Sequence, residues 1–531
     1  MTHVPRWLAG ALFVVGLATL VTAGNVIWMK REILTIPPAW DQAFYLYRSV
    51  RYWRALTEGG PRGVAREYVR GDPQTAPLFP LTTVPLYAAF GESREVAHLT
   101  NALYLALLLG LTVALGAHTA SLRAGLVAAF ALATFPGVVN YSRDYLFEFP
   151  ASAFVTLAVY GLARSDGWRS TRWSIVFGLG AALTVLTKTM TGIFLVGPTA
   201  WIAVRTLRER TPPRIVLGNL GAAALVGALV AATWWLPNLV RAWWYLTYYG
   251  FGAGSVPYQK GLGTPFSLDN MTYYGRYLVL YGISVPWAVV FALVATVALR
   301  QRLRTSGLLW VWLAGGYIAL TLVPNKGEER YALSLLPPLA LLIAAMIDRL
   351  HPAWCRAVFA AAVVAVGTFN YAELTFARGE RLWPAAVRAG HVYPQYEWLR
   401  RLVPRSAPGI VPVGEVLDRI AADHPGGDAA VLVAPDHPVL NASTLRYGAE
   451  RRRLRLKLDH LWADHLSPAG LRPFDYVVVK RGGYQGPEFS TRATAAITDA
   501  VARPDSGFIQ LGGALPFPDG AEVAVFARRH E

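Results

Sequence analysis

Shortly past its first long apolar run the chain carries an acid among aromatics, Trp40-Asp41-Gln42-Ala43-Phe44-Tyr45. Further ionisable residues stand beside later apolar runs: Arg143, Asp144, Glu148, Lys188, Lys326, Glu328, Glu329 and Arg330. A carboxylate can take the proton from an attacking hydroxyl. Lysine and arginine can neutralise a departing phosphate, and low dielectric amplifies their effect. Together these residue types suit group transfer from a phosphate-bearing donor. Each one alone reads equally as a snorkelling side chain at a helix end. As a set from several separate loops they point to a site, because ionisable groups at membrane depth are costly unless paired or used.

The elements that must position them are membrane spans. Of 531 residues 54% are hydrophobic and 16% charged, with mean hydropathy +0.34; soluble domains carry about 25% charged residues. Apolar runs lie at 8–29, 96–117, 124–141, 149–163, 174–188, 190–204, 215–236, 279–299, 307–323, 331–347 and 354–374, about eleven spans. The net charge of +17 would suggest nucleic acid in a soluble protein. Here much of the arginine sits in short loops: Arg6; Arg123; Arg164, Arg169 and Arg172; Arg205, Arg208, Arg210 and Arg214; Arg300, Arg302 and Arg304; Arg349 and Arg356. Alternation puts these on one side, which is then cytoplasmic, as is the N-terminus. The expected partners are membrane lipids, with no nucleic acid. Cys355 is the one cysteine, so no disulfide or thiolate cluster is available. No phosphate-binding glycine loop or dinucleotide fingerprint is present.

The outer side receives loops 30–95 and 237–278. The second holds Trp243, Trp244, Tyr245, Tyr248 and Tyr249, which suit an interfacial belt more than sugar stacking. Residues 42–58 predict a helix lying in the outer interface. Pro77, Pro80 and Pro85 predict a bent approach to the second span. The first run reads as an uncleaved anchor. From about residue 380 the composition turns soluble. Strands are expected at 429–434, 475–480, 507–512 and 521–527, with helices at 413–423 and 491–502. The expected organisation is a membrane domain over 1–378 and an extracytoplasmic α/β domain over 379–531. His460 and His465, five apart, lack the one-face spacing of a helical metal site. Asn270-Met-Thr and Asn441-Ala-Ser are sequons of a kind that chance supplies.

Several motifs resemble those of the GT-C superfamily of integral-membrane glycosyltransferases, in the branch of protein O-mannosyltransferases and lipid A aminoarabinose transferases. Trp40-Asp41-Gln42-Ala43-Phe44-Tyr45 is similar to the family's Asp-Glu-Ala-xx-Tyr. Ala76-Pro77-Leu78-Phe79-Pro80-Leu81 is similar to Pro-Pro-Leu-Tyr-Pro-Leu. Ser142 to Pro150 is similar to the stretch after the third span, and Leu186-Thr187-Lys188-Thr189-Met190-Thr191-Gly192 to Leu-Thr-Lys-Gly-xx-Gly. Lys326 to Tyr331 with Pro337-Pro338 resembles a later Arg-Tyr stretch.

The resemblance implies an inverting transferase that moves a sugar from a polyprenyl-phosphate donor to a hydroxyl of a glycan, lipid or protein on the outer face of a bacterial plasma membrane. In it Asp41 is the catalytic base and Glu148, with Arg143, shapes the site. Lys188, Lys326 and Arg330 are candidates for the donor phosphate, with Asp144 and Tyr331 beside them in the substrate site. The chain departs from the family pattern in three places. Gln42 replaces the second acid, which argues against a metal held by that pair; no cofactor is required, though a divalent cation is compatible. Glu148 stands where the family has Asp, and Asp144 offers a competing alignment. No lysine lies between Asp41 and His98, where Arg66 or Arg70 could substitute. A polyprenyl-lipid flippase or transporter would want charge buried in mid-span and paired halves. A non-catalytic membrane scaffold would be indifferent to Asp41.

Overall fold

The computed structural model describes residues 5–72, 75–326, 329–376, 403, 411–461 and 468–529. Glu328, His465 and the expected domain boundary at 378/379 lie outside the described residues. The chain divides into two compact units. One comprises Met1–Ile27, Pro61–Leu86 and His98–Pro394; the other comprises Trp28–Gly60, Tyr87–Ala97 and Gln395–Glu531.

The first unit is helical, and every expected apolar run forms helix. Several are broken where local chemistry demands it. The run at 124–141 is two helices, Leu122–Thr134 and Pro136–Tyr141. Phe135 is extended (φ −64, ψ 130) because the ring of Pro136 pushes the preceding residue out of the helical region. The run at 190–204 starts as a 3-10 segment, Thr189–Leu195, before the helix Val196–Arg208. The run at 279–299 straddles the break in a bent pair, Leu268–Ile283 and Val285–Arg300, bent by 106° at Ser284.

The stretch expected as the outer loop 237–278 begins as helix. Residues up to 250 continue the helix Pro213–Gly250, 38 residues long and running through Pro237. At 1.5 Å per residue it spans about 57 Å, well beyond a hydrocarbon core of about 30 Å. Its Trp244 and Tyr248 rings stack at 4.8 Å. Among the described residues, six helices are long and apolar enough to cross a membrane, or seven if the bent pair is one span. Four more apolar helices are shorter, so length and composition alone do not yield eleven crossings.

The helix Leu336–Arg349 is buried continuously from Leu336 to Ile347 and forms the centre of this unit. By contrast, Pro213–Gly250 exposes Leu217, Leu225, Leu229, Leu236 and Val240, the apolar surface of a lipid-facing helix. The protein is an integral membrane protein. Helices Glu148–Arg164 and Thr171–Thr187 pack at backbone distance: a Cβ on Gly161 would sit 2.6 Å from Phe177 N, and one on Gly180 2.7 Å from Ala158 N. Small residues permit that approach where lipid offers no hydrophobic drive.

The second unit is built on a mixed sheet of β1 (Ala429–Val433), β2 (Leu456–His460), β3 (Tyr476–Arg481), β4 (Phe508–Gln510), β5 (Leu515–Pro516) and β6 (Glu522–Arg528). The order is β2-β1-β3-β6-β4, with β5 paired to β6. β1 runs parallel to β2 and β3, and β6 antiparallel to β3, β4 and β5. Leu432, Val477, Val479, Ile497, Phe508 and Phe526 form its core. The four expected strands are present. β2 was not foreseen because Leu-Lys-Leu-Asp-His reads as polar surface, nor was the helix Ala442–Arg451, whose N-cap is Asn441.

The same unit takes in the first part of the helix Trp40–Arg70, which breaks at Gly60 (φ 59, ψ −157) before Pro61. The helix expected at 42–58 thus exists, but Ala43, Leu46, Val50 and Tyr52 are all 0% exposed. Its apolar face is covered by protein rather than offered to an interface.

Candidate active site

Glu148, Lys188, Arg330 and Tyr331 come together in the first unit. Glu148 opens the helix Glu148–Arg164, where Pro150 is tolerated in the first turn and the helix dipole favours a carboxylate. Lys188 stands where Thr171–Thr187 ends; its backbone is extended (φ −152, ψ 113) before the 3-10 segment begins. Arg330 and Tyr331 lie in a second 3-10 segment, Glu329–Leu335, ahead of the proline-initiated helix Leu336–Arg349. Both cations therefore come from broken helix, where the chain can turn a side chain inward.

The Lys188 ammonium donates to Glu148 Oε1 and lies 4.1 Å from the centre of the Tyr331 ring. Arg330 Nε is 3.3 Å from the same carboxylate oxygen. Glu148 is buried, and its Oε2 has no hydrogen-bond partner among the described residues. Two cations thus meet on one buried carboxylate oxygen, and the second oxygen of that carboxylate has no partner among the described residues. That arrangement can hold an anionic oxygen and orient a hydroxyl donor.

The other expected residues of this unit are engaged differently. Arg143 is fully buried: Nε donates to Asn25 Oδ1 at 2.8 Å, Nη1 to the Leu374 carbonyl at 2.9 Å, and Nη2 to the Thr375 hydroxyl. These bonds tie the helix Arg6–Glu32 to Ala353–Phe376. The Asp144 carbonyl accepts from Asn101 Nδ2 at 2.6 Å. The Lys326 ammonium donates to the carbonyls of Thr321 at 2.6 Å and Leu320 at 3.2 Å, capping the helix Gly307–Leu322. It lies 5.8 Å from the ring of Tyr274, whose buried hydroxyl has no hydrogen-bond partner among the described residues.

Asp41 belongs to the second unit, in the first turn of the helix Trp40–Arg70. Trp40 has φ +27, a strained backbone of the kind that must be held by its surroundings. The holding is visible. Trp40 N donates to the Pro438 carbonyl at 3.1 Å, and Nε1 donates to Asp436 at its carbonyl (3.0 Å) and Oδ1 (3.1 Å). Thr444 donates its hydroxyl to the Pro38 carbonyl at 3.1 Å. Burial pushes the Asp436 carboxyl up to about 6; the Trp40 bond opposes this and the nearby charge of Asp41 adds to it. His437, fully buried against Phe517, is pulled down to about 3 by burial and by the Lys480 cation. Asp436 was missed in the sequence because 395 residues separate it from Asp41 and no short motif surrounds it.

Gln42 is buried, and its Oε1 accepts from Arg94 Nη2 at 2.7 Å; Arg94 also donates to the carbonyls of Ile33 (3.1 Å) and Ile36 (2.5 Å). Arg66 and Arg70 are exposed. His460 is exposed at the end of β2, 3.8 Å from Asp459. Both sequon asparagines are buried and bonded: Asn270 donates to the Pro265 and Thr321 carbonyls, and Asn441 accepts from Ser443 N and Thr444 N. Among the described residues no group of three or more His, Cys, Asp or Glu is placed to hold a metal ion.

No family model and no curated protein sequence matches the chain. Solved structures do. ArnT from Cupriavidus metallidurans bound to undecaprenyl phosphate superposes with a TM-score of 0.60 at 15% identity, covering 96% of this chain and 98% of that one. Its apo state gives 0.56 at 16% identity with the same coverage. The arabinofuranosyltransferase AftD from Mycobacteria gives 0.55 at 14% identity, covering all of this chain but 40% of AftD. At such identities the likeness is one of fold. The chain has the GT-C fold of membrane glycosyltransferases.

Proposed function

We propose that the protein is an inverting glycosyltransferase of the bacterial plasma membrane, moving a sugar from a polyprenyl-phosphate donor to a hydroxyl acceptor on the outer face. The observation that carries the reading is the pairing of Lys188 and Arg330 on the one buried carboxylate of Glu148, in a chain with the GT-C fold. The Lys188 side chain stays partly exposed there, and a phosphate monoester or diester is a natural further partner for its ammonium.

In the reaction Asp41 accepts the proton of the acceptor hydroxyl as its oxygen attacks the anomeric carbon. The bond from that carbon to the phosphate oxygen breaks, and the electron pair leaves with polyprenyl phosphate. Lys188 and Arg330 stabilise the charge that develops on that leaving group. Glu148 fixes both cations and presents Oε2 to a sugar hydroxyl, Tyr331 orients Lys188, and Lys326 with Tyr274 lies along the donor path. Arg143 and Asp144 hold the scaffold behind the site. A divalent cation is not needed for this charge balance. The N-terminus and arginine-rich loops are cytoplasmic in this reading.

The test is transfer of radiolabelled sugar from defined polyprenyl-phosphate donors by purified protein, read by mass spectrometry of cell-envelope glycans with and without the gene. No sugar transfer with any donor, and no change in envelope glycans, would refute the assignment. Lipid movement across the bilayer without transfer would favour a flippase.

A further inference from the structure

The basic run Arg451-Arg452-Arg453-Leu454-Arg455-Leu456-Lys457 lies in the second unit, outside the site described above. Two of its cations are paired: Arg451 with Glu92 at 3.2 Å and Arg452 with Asp418 at 2.5 Å. Arg453, Arg455 and Lys457 are exposed and make no ion pair among the described residues. Arg455 and Lys457 are two apart on extended chain and so project to one side. Lys457 is in β2, the edge of the sheet, paired to β1 alone. Arg453 has φ +59 just past the helix Ala442–Arg451, a position where glycine or asparagine is the low-cost choice. An arginine there carries backbone strain of about 1–2 kcal/mol, which has a purpose if its guanidinium is in use.

These three side chains line a groove of about 1160 Å³, together with Arg446, Tyr47 and Phe474. Arg446 lies 5.8 Å over the Tyr47 ring. Arg51 and Arg54 raise the cations to six, against four carboxylates, Glu58, Asp428, Glu450 and Asp459. Arg54 occupies Glu450 at 2.7 Å.

We propose that this groove docks an acidic carbohydrate chain, bearing carboxylates along its length, as the acceptor. The acceptor role rests on the transferase reading above; the binding itself does not. Guanidinium groups grip carboxylates in bidentate fashion. The remaining acids of the lining accept from sugar hydroxyls. The groove's volume, above that of a typical small-molecule pocket, suits a segment of chain rather than a single small ligand. The plainer alternative is that charge on β2 merely blocks edge-to-edge pairing of sheets.

The test uses the full-length protein in phosphatidylcholine nanodiscs, titrated with hexagalacturonate, and with maltohexaose as the neutral counterpart. Hexagalacturonate should bind, weaken with added salt, and lose at least tenfold in affinity in the Arg453→Gln, Arg455→Gln, Lys457→Gln triple variant. Maltohexaose should not bind. Should the triple variant unfold, Lys457→Gln alone carries the test, with a smaller loss of affinity expected. The proposal is overturned by equal binding of both saccharides, by no binding of either, or by hexagalacturonate affinity unchanged in the variants. It is also overturned if phosphatidylglycerol in the discs displaces hexagalacturonate through the same three residues, which would make the groove a headgroup site. Aggregation of the variants with unchanged affinity would return β2 to edge protection. Because binding is read without transfer, its failure leaves the transferase reading standing. Absent sugar transfer alongside intact binding would fault only that reading.

Discussion

Replacing Glu148 by Gln should separate the two things its carboxylate does. The substitution keeps shape but removes the charge that Lys188 and Arg330 share. The side chains of Glu148, Arg330 and Lys188 are 4%, 13% and 21% exposed, so neither cation is fully solvated once the acid is gone. Breaking a buried pair costs about 3–5 kcal/mol. Partial exposure of Lys188 places the loss near the lower end, about 3 kcal/mol, or roughly a 150-fold change in an equilibrium constant. The site, however, becomes more positive by one charge, so a phosphate should bind it more tightly. Ligand stabilisation grows as the logarithm of concentration over Kd, about 2.7 kcal/mol at a hundredfold excess. Thermal unfolding in nanodiscs, with and without undecaprenyl phosphate, reads both effects. The variant should melt below the parent in the absence of lipid phosphate, and the gap should narrow in its presence by the difference in ligand stabilisation. The reasoning fails if Glu148→Gln melts with the parent, or if undecaprenyl phosphate stabilises the two proteins equally.

Asp41→Asn should lower transfer by about 10²–10⁴-fold, the usual cost of removing a general base, with donor affinity unchanged; near-normal turnover would remove Asp41 from the mechanism. Lys188→Met should weaken binding of a polyprenyl-phosphate sugar without unfolding the protein, and an unchanged Kd would reduce Lys188 to a counter-ion of Glu148. Asp436 has a folded carboxyl raised from 3.8 to about 6, so its burial costs nothing below pH 4, increasingly destabilises as pH rises from 4 to 6, and levels off above that. Asp436→Asn should therefore stabilise the protein above pH 6 by up to roughly 3 kcal/mol and leave it unchanged near pH 4, as differential melts across that range will show. Reporter fusions at Arg208 and Arg401 should report opposite sides of the membrane, and the same side at both would sink the topology.

The sequence by itself determined the elements and the chemistry available to them. Apolar runs mark helices because lipid forces each backbone to satisfy itself locally. Pro136, Pro150 and Pro337 place helix starts through their own ring geometry, and short continuous apolar runs mark β1, β3 and β6. Glu148, Lys188 and Arg330 were each legible as charge beside an apolar run, within a larger set of such residues. What tertiary structure decided is which of these charges meet. Arg143 and Lys326 carry the same kind of sequence signal as Lys188 and Arg330. Yet Arg143 spends its donors on Asn25, Leu374 and Thr375, and Lys326 spends its own on the end of a helix. Nor could any local pattern show that Trp40 is clamped by Asp436 and Pro438, or that the expected interfacial helix has its apolar face buried. Helix propensity and hydropathy act over a few turns. The partner of a buried polar group is fixed only when chain segments hundreds of residues apart are packed, and a buried donor must take whichever acceptor that packing supplies.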